Sequence, residues 1–201
     1  EKRVLIYSLA MIALKRHPAS YSSDLADRLL KVILDQLGSN FRSGSCNLNP
    51  IDLLDIQIMS ESPESHDRAV QLLFLMDDAY ENGNIMLNVR ESLWRTVLAK
   101  VSQKEGAHTA AMAIFQRIQQ RDNNGKIKCP LTTFIFAEVM KAWMISDAPS
   151  RIENMELLYE TMNDLHKSGD KFVAPNIDHL NMIMKAYATV GGVEASRRIV
   201  E

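Results

Sequence analysis

Apolar residues recur along this chain at spacings of three and four positions, the pattern of one buried face on an α-helix. One version of the pattern repeats: a small or polar residue is followed three and four positions later by two large apolar residues. The five copies start at Ala26, Ala69, Ala111, Asn154 and Ser196. The spacings between them are 43, 42, 43 and 42 residues, and this regularity predicts a structural repeat.

Prolines and glycines fall between the predicted helices. All six prolines lie either five to eight residues before a repeat start or 19 to 24 residues after one. The first group is Pro18, Pro63 and Pro149, and the second is Pro50, Pro130 and Pro175. Gly38, Gly83, Gly125 and Gly169 lie where a second helix of about four turns would end in a left-handed residue. Each repeat is therefore predicted to contain two helices.

The predicted first helices of the repeats span 3–16, 51–60, 90–104, 132–146 and 177–190. The predicted second helices span 22–37, 64–82, 107–122, 151–168 and 193 onward. Ser150 and Glu153 have the spacing of a capping box at the start of one second helix. Apolar residues four positions after a repeat start are expected in the core, namely Leu30, Leu73, Phe115 and Leu158.

A single helical hairpin cannot bury its apolar face alone, whereas stacked hairpins can. The predicted fold class is therefore all-α, a right-handed α-solenoid of stacked helix-turn-helix repeats whose concave face is lined by the first helices. We expect one domain over residues 1–201, made of about five repeats. The repeats are assigned to 1–49, 50–89, 90–130, 131–175 and the partial 176–201.

Composition and charge narrow the possible functions. Hydrophobic residues make up 46% and charged residues 24% of the chain, which suits a globular core. The net charge of −2 gives no overall positive field that would attract nucleic acid. Cys46 and Cys129 are too few for a disulfide scaffold or a four-cysteine zinc site. The longest apolar stretch, Val4 to Leu14, is too short for a bilayer, so no membrane span is expected.

Several segments resemble the pentatricopeptide repeat (PPR) family of helical-repeat proteins. FAEVMKAW at 136–143 and LNMIMKAY at 180–187 resemble the first helix of that repeat. The run VGGVEAS at 190–196 resembles the turn into its second helix, and Pro175–Asn176 is similar to its closing Pro–Asx. The stretch 66–76 is similar to the second helix. The resemblance covers nearly the whole chain and is clearest in its last third.

The repeats here are longer than the usual PPR repeat, and the extra residues fall in the turns. Elongated repeats of this kind are similar to those of organellar PPR proteins from algae and protists. The resemblance implies a helical-repeat protein that binds single-stranded RNA with each repeat facing one base. It also implies a location in a mitochondrion or a plastid.

In sequence-specific members of that family, each base is read by one side chain on the first helix and one after the closing proline. The corresponding helix positions here are Ser8, Arg95, Ala137 and Asn181. The corresponding closing positions are Ile51, Arg90, Leu131 and Asn176. Reading a base edge needs hydrogen-bond donors and acceptors, and Ala, Ile and Leu side chains supply none. We therefore expect the fold without a working base code.

Lys100, Lys141 and Lys185 recur at about the repeat period on the predicted first helices. Stacked hairpins would line these cations along the groove, where they suit contacts to RNA phosphates. The alternative is an exposed helix face whose lysines are only solvated. The full set of candidate RNA-binding residues is Ser8, Lys15, Arg95, Lys100, Lys141, Asn176, Asn181 and Lys185.

The remaining residues form no recognisable catalytic motif, and we expect neither an enzyme nor a bound cofactor or metal. Trp94, Phe136 and Trp143 are expected to fill the core rather than to stack on bases. There is no HExxH motif, no glycine-rich phosphate loop and no GxSxG. One group of carboxylates is expected to form a solvated face, with a magnesium site as the alternative. These residues are Asp52, Asp55, Asp77, Asp78 and Glu81.

Two functional hypotheses remain. The first is an organellar PPR-like RNA-binding protein that acts in RNA processing, stability or translation. The second is a degenerate PPR-like scaffold that binds other protein subunits within a large organellar assembly. The resemblance favours RNA, whereas the near-neutral charge and the degenerate base-reading positions favour the scaffold.

Overall fold

The computed structural model describes residues 54, 65–82, 89–123 and 130–190 of the 201-residue chain. Six α-helices occupy most of this part, and it contains no β-strand. They are α1 (Ser65–Glu81), α2 (Glu91–Val101), α3 (His108–Asn123), α4 (Thr133–Met144), α5 (Arg151–Lys167) and α6 (Ile177–Val190). The predicted all-α class is confirmed for these residues.

The helices begin close to where the sequence predicted. The three described second helices, α1, α3 and α5, start at Ser65, His108 and Arg151, against predicted starts at 64, 107 and 151. The three described first helices, α2, α4 and α6, start within one residue of prediction. The helices predicted at 3–16, 22–37 and 193 onward lie outside the described residues, as does 51–60 apart from Leu54.

The chain divides into two compact units, Glu1–Arg90 and Glu91–Glu201. In the first unit, α1 buries an apolar face that includes Leu72, Leu73 and Met76. In the second unit, α4 is central because it packs against α2, α3, α5 and α6. The pairs α2–α3 and α5–α6 also pack together. None of the helices in the described residues is long and apolar enough to cross a membrane.

The first helices α2, α4 and α6 bury the same five positions, which are spaced as i, i+3, i+4, i+7 and i+8 and so lie on one helical face. The five positions are Trp94, Val97, Leu98, Val101 and Ser102 on or just after α2; Ile135, Glu138, Val139, Ala142 and Trp143 on α4; and His179, Met182, Ile183, Ala186 and Tyr187 on α6. The α4 helix also buries Phe136, whose ring meets that of Phe115 on α3 at 4.9 Å. The three helices therefore share one rotational register about their axes.

The core positions predicted on the second helices are confirmed where they are described. Leu73, Phe115 and Leu158 are all buried, and Leu30 lies outside the described residues. A second set of buried residues also follows the repeat. It comprises Val89, Leu131 and Val173, which precede the first helices at spacings of 42 residues.

The predicted capping box at α5 is not formed. Ser150 has φ −87° and ψ 13°, and its side chain makes no capping hydrogen bond. An N-cap side chain reaches the helix only from an extended backbone, which Ser150 does not have. At the other end, Gly169 has φ 102°, as expected of a left-handed helix terminus. Asp170 N–H donates to the Leu165 carbonyl, which completes a Schellman-type end.

Candidate nucleic-acid interface

Three predicted lysines occupy one register on the first helices of the second unit. Lys100, Lys141 and Lys185 each lie six positions after the first residue of the shared buried face. All three are exposed. Because α4 packs against both α2 and α6, the same exposed edge of three adjacent helices carries a cation. Among the candidates, this is the set that the structure brings into equivalent places.

Lys141 differs from the other two because a carboxylate holds its ammonium group. Lys141 Nζ lies 2.5 Å from Glu138 Oε1, and Ser102 Oγ donates to Glu138 Oε2 at 2.5 Å. The Glu138 side chain is 6% exposed, against 48% for Lys141. A buried carboxylate needs such partners, so this group joins the end of α2 to α4. In the described part of the chain, Lys100 and Lys185 have no ion-pair partner.

Arg95 lies against an aromatic ring that the sequence did not single out. Its guanidinium carbon is 4.4 Å from the ring centre of Phe134 on α4, a cation–π geometry. Its Nη1 is also 3.4 Å from Glu91 Oε1. The three aromatic residues that the sequence predicted to fill the core are buried, namely Trp94, Phe136 and Trp143. Phe134 is the half-buried aromatic on this edge.

Among the described positions that correspond to base-reading residues, Leu131 is covered, and Asn176 and Arg95 are engaged by neighbours. Leu131 is buried, at 3% exposure, so its side chain cannot reach a ligand. The Asn176 side-chain oxygen accepts hydrogen bonds from the backbone N–H groups of Asp178 and His179, which makes it the N-cap of α6. Ala137 is half-buried. Arg90 and Asn181 are exposed, and Ser8, Lys15 and Ile51 lie outside the described residues.

The loop before α6 is tied to the start of α4, and this fixes where the two first helices meet. The backbone N–H of Thr133 donates to the Phe172 carbonyl at 3.0 Å. Thr133 Oγ1 accepts a hydrogen bond from the Ala174 N–H, also at 3.0 Å. His179 Nδ1 then accepts from the Asn176 N–H at 3.3 Å beneath the cap. These contacts place Asn181 and Lys185 relative to α4.

The carboxylates considered for magnesium do not converge on a site in the part that the structure describes. Asp77 is 4% exposed, whereas Asp78 and Glu81 point to solvent. Asp52 and Asp55 lie outside the described residues. No group of three or more His, Cys, Asp or Glu side chains that could hold a metal ion occurs within the described ranges.

Comparison of the sequence with family models, with curated proteins and with solved structures gave no match. The described first helices carry three exposed lysines at one register, Arg95 lies on the ring of Phe134, and hydrogen bonds tie the loop before α6 to the start of α4.

Proposed function

We propose that this protein binds single-stranded RNA along the exposed edge of its first helices, as a PPR-like protein of an organelle. Its role would lie in RNA processing, stability or translation. The main support for the proposal is that Lys100, Lys141 and Lys185 occupy the same register on three adjacent helices. The proposal includes stacking of the hairpins into a right-handed solenoid, which would extend the row of cations. The organellar location rests on the family resemblance.

The binding is proposed to be independent of base sequence. Phosphate contacts fix the position of an RNA strand but carry no sequence information. The burial of Leu131 and the engagement of Asn176 as a helix cap remove two of the side chains that would read bases. The strand would therefore be held by its backbone, chiefly at Lys100 and Lys185, with Arg95 adding a planar cation.

The test compares two double variants with the same change in charge. Lys100→Glu with Lys185→Glu alters the proposed edge. Lys167→Glu with Lys171→Glu alters two exposed lysines at and beyond the end of α5. We expect the first variant to lose most of its affinity for fluorescent oligouridylate and for a mixed-sequence oligonucleotide alike, whereas the control stays close to wild type. Equal loss in both variants would show that only net charge matters and would contradict the proposal.

A protein-binding scaffold is the second candidate, and one observation favours it. Ile177, Leu180 and Met184 are exposed on one edge of α6 at positions i, i+3 and i+7. Such an apolar edge suits another subunit better than an RNA backbone. If this candidate is right, the double variant Leu180→Gln with Met184→Gln will no longer sediment together with the native assembly. The lysine variant will then leave the assembly intact, and wild-type protein will bind no oligonucleotide at low salt.

A further inference from the structure

Arg95 and Phe134 form a layered pair at the exposed edge of the first helices. Arg95 lies on α2 and Phe134 on α4, and the guanidinium carbon is 4.4 Å from the centre of the ring. Phe134 is half-buried where these two helices pack together. The Arg95 side chain is 44% exposed. Because the ring covers one face of the planar guanidinium, the opposite face is open to solvent.

A carboxylate holds the Arg95 guanidinium by its edge. Glu91 lies one helical turn before Arg95, and its Oε1 accepts a hydrogen bond from Nη1 at 3.4 Å. This contact restrains the guanidinium and leaves its outer face uncovered. The negative charge of Glu91 also opposes an RNA phosphate, which would bind along the N–H edge of the guanidinium. The face of a base carries no net charge, so the outer face of Arg95 suits a base better than a phosphate.

The other described first helices do not carry this pair. Arg95 lies one residue after the first residue of the shared buried face, where α4 carries the buried Phe136 and α6 carries Leu180. Neither of those side chains is a cation. The platform is therefore particular to α2 and α4. The exposed Lys141 lies seven positions after Phe134 on the same face of α4, about 10 Å along the helix.

We propose that one RNA base stacks on the outer face of the Arg95 guanidinium, with Phe134 as the layer beneath it. This inference rests on the proposed function and adds a base contact to a strand otherwise held by its phosphates. Stacking uses the π-face that every base has, and it does not depend on hydrogen bonds to the base edges. The contact therefore adds affinity without making the binding depend on base sequence.

Probes with and without bases test the contact. They are a fluorescent oligouridylate and an abasic strand of the same length with the same number of phosphates. The full chain is compared as wild type, Arg95→Lys and Phe134→Leu. Arg95→Lys keeps the charge and removes the planar face, whereas Phe134→Leu keeps an apolar side chain and removes the ring. Circular dichroism first confirms that the variants keep the wild-type helix content, and the exposed Arg95 alone decides the question if Phe134→Leu does not fold.

We expect each variant to bind oligouridylate about fivefold more weakly than wild type does. Each should bind the abasic strand as wild type does, with an unchanged slope of affinity against salt, because the phosphate contacts remain. Equal losses on the two probes, or no loss on either, would overturn the stacking contact and leave phosphate binding in place. Wild-type protein that bound neither probe at low salt would overturn the proposed function together with the stacking contact.

Discussion

At the scale of single residues, one aromatic pair joins α3 and α4 in the described core. The rings of Phe115 and Phe136 meet edge to face, and Phe115 is 5% exposed. Such pairs stabilise beyond the area that they bury. The repeat pattern placed both residues on buried faces, although it did not indicate that they touch.

Phe115→Ala should therefore lower the free energy of unfolding by about 3–5 kcal/mol, because it removes a buried ring and leaves a cavity. The matched control is Phe172→Ala, since Phe172 is 68% exposed. Urea denaturation of both variants measures the difference. A loss of similar size in the two variants would contradict the assignment of Phe115 to the core.

Glu138, like Phe134, was not predicted from the sequence to take part in the site. It occupies a buried position that is Val97 on α2 and Met182 on α6. Its partner Ser102 lies 36 residues away. The signal available in the sequence was a charged residue on an apolar face. The sequence could not identify Ser102 as the partner of Glu138, because the contact depends on how α2 and α4 are rotated and shifted against each other.

Two substitutions separate the roles of the Glu138 carboxylate. Glu138→Ala removes the carboxylate and leaves a cavity at a buried position, so it should cost about 1–3 kcal/mol of stability. Glu138→Met supplies the apolar side chain found on α6 and should stay within about 1 kcal/mol of wild type. Both free Lys141, so Glu138→Met should strengthen RNA binding and steepen its salt dependence by about 0.7 log–log units. Unchanged RNA affinity would show that Lys141 does not contact phosphate.

At the scale of helices, the sequence predicted the starts well because prolines, glycines and apolar spacing act locally. Capping was predicted less well. The Ser150 box is absent, whereas Asn176 caps α6. A cap depends on the backbone angles of the preceding residue, and these follow from how the loop is tied down. For α6, the bonds from Thr133 to the loop hold it in place.

Replacement of the Asn176 cap should weaken α6 specifically. Asn176→Ala removes the acceptor for two backbone N–H groups and should cost about 1 kcal/mol. Asn176→Asp keeps an acceptor and should be close to neutral for stability. Hydrogen exchange at Asp178 and His179 reports the effect locally. Equal protection of these amides in the alanine variant and wild type would contradict the cap.

At the scale of the whole molecule, the sequence predicted an all-α repeat protein but could not fix its function. Net charge is −2, yet the described first helices present cations at one register. Whether these cations bind RNA depends on which of their charges are neutralised by neighbours. All three lysines are exposed, but in the described residues only Lys141 is paired, with Glu138, and this distinction required side-chain positions.

The salt dependence of RNA affinity measures how many phosphates the first helices contact. Binding of a fluorescent oligouridylate is measured for wild-type protein and for Lys100→Glu with Lys185→Glu over a range of salt concentrations. For wild type we expect the logarithm of the affinity to fall linearly with the logarithm of salt concentration. Loss of two phosphate contacts should flatten that line by about 1.4 units in the variant. Parallel lines for the two proteins, or no binding by wild type at the lowest salt, would contradict the account.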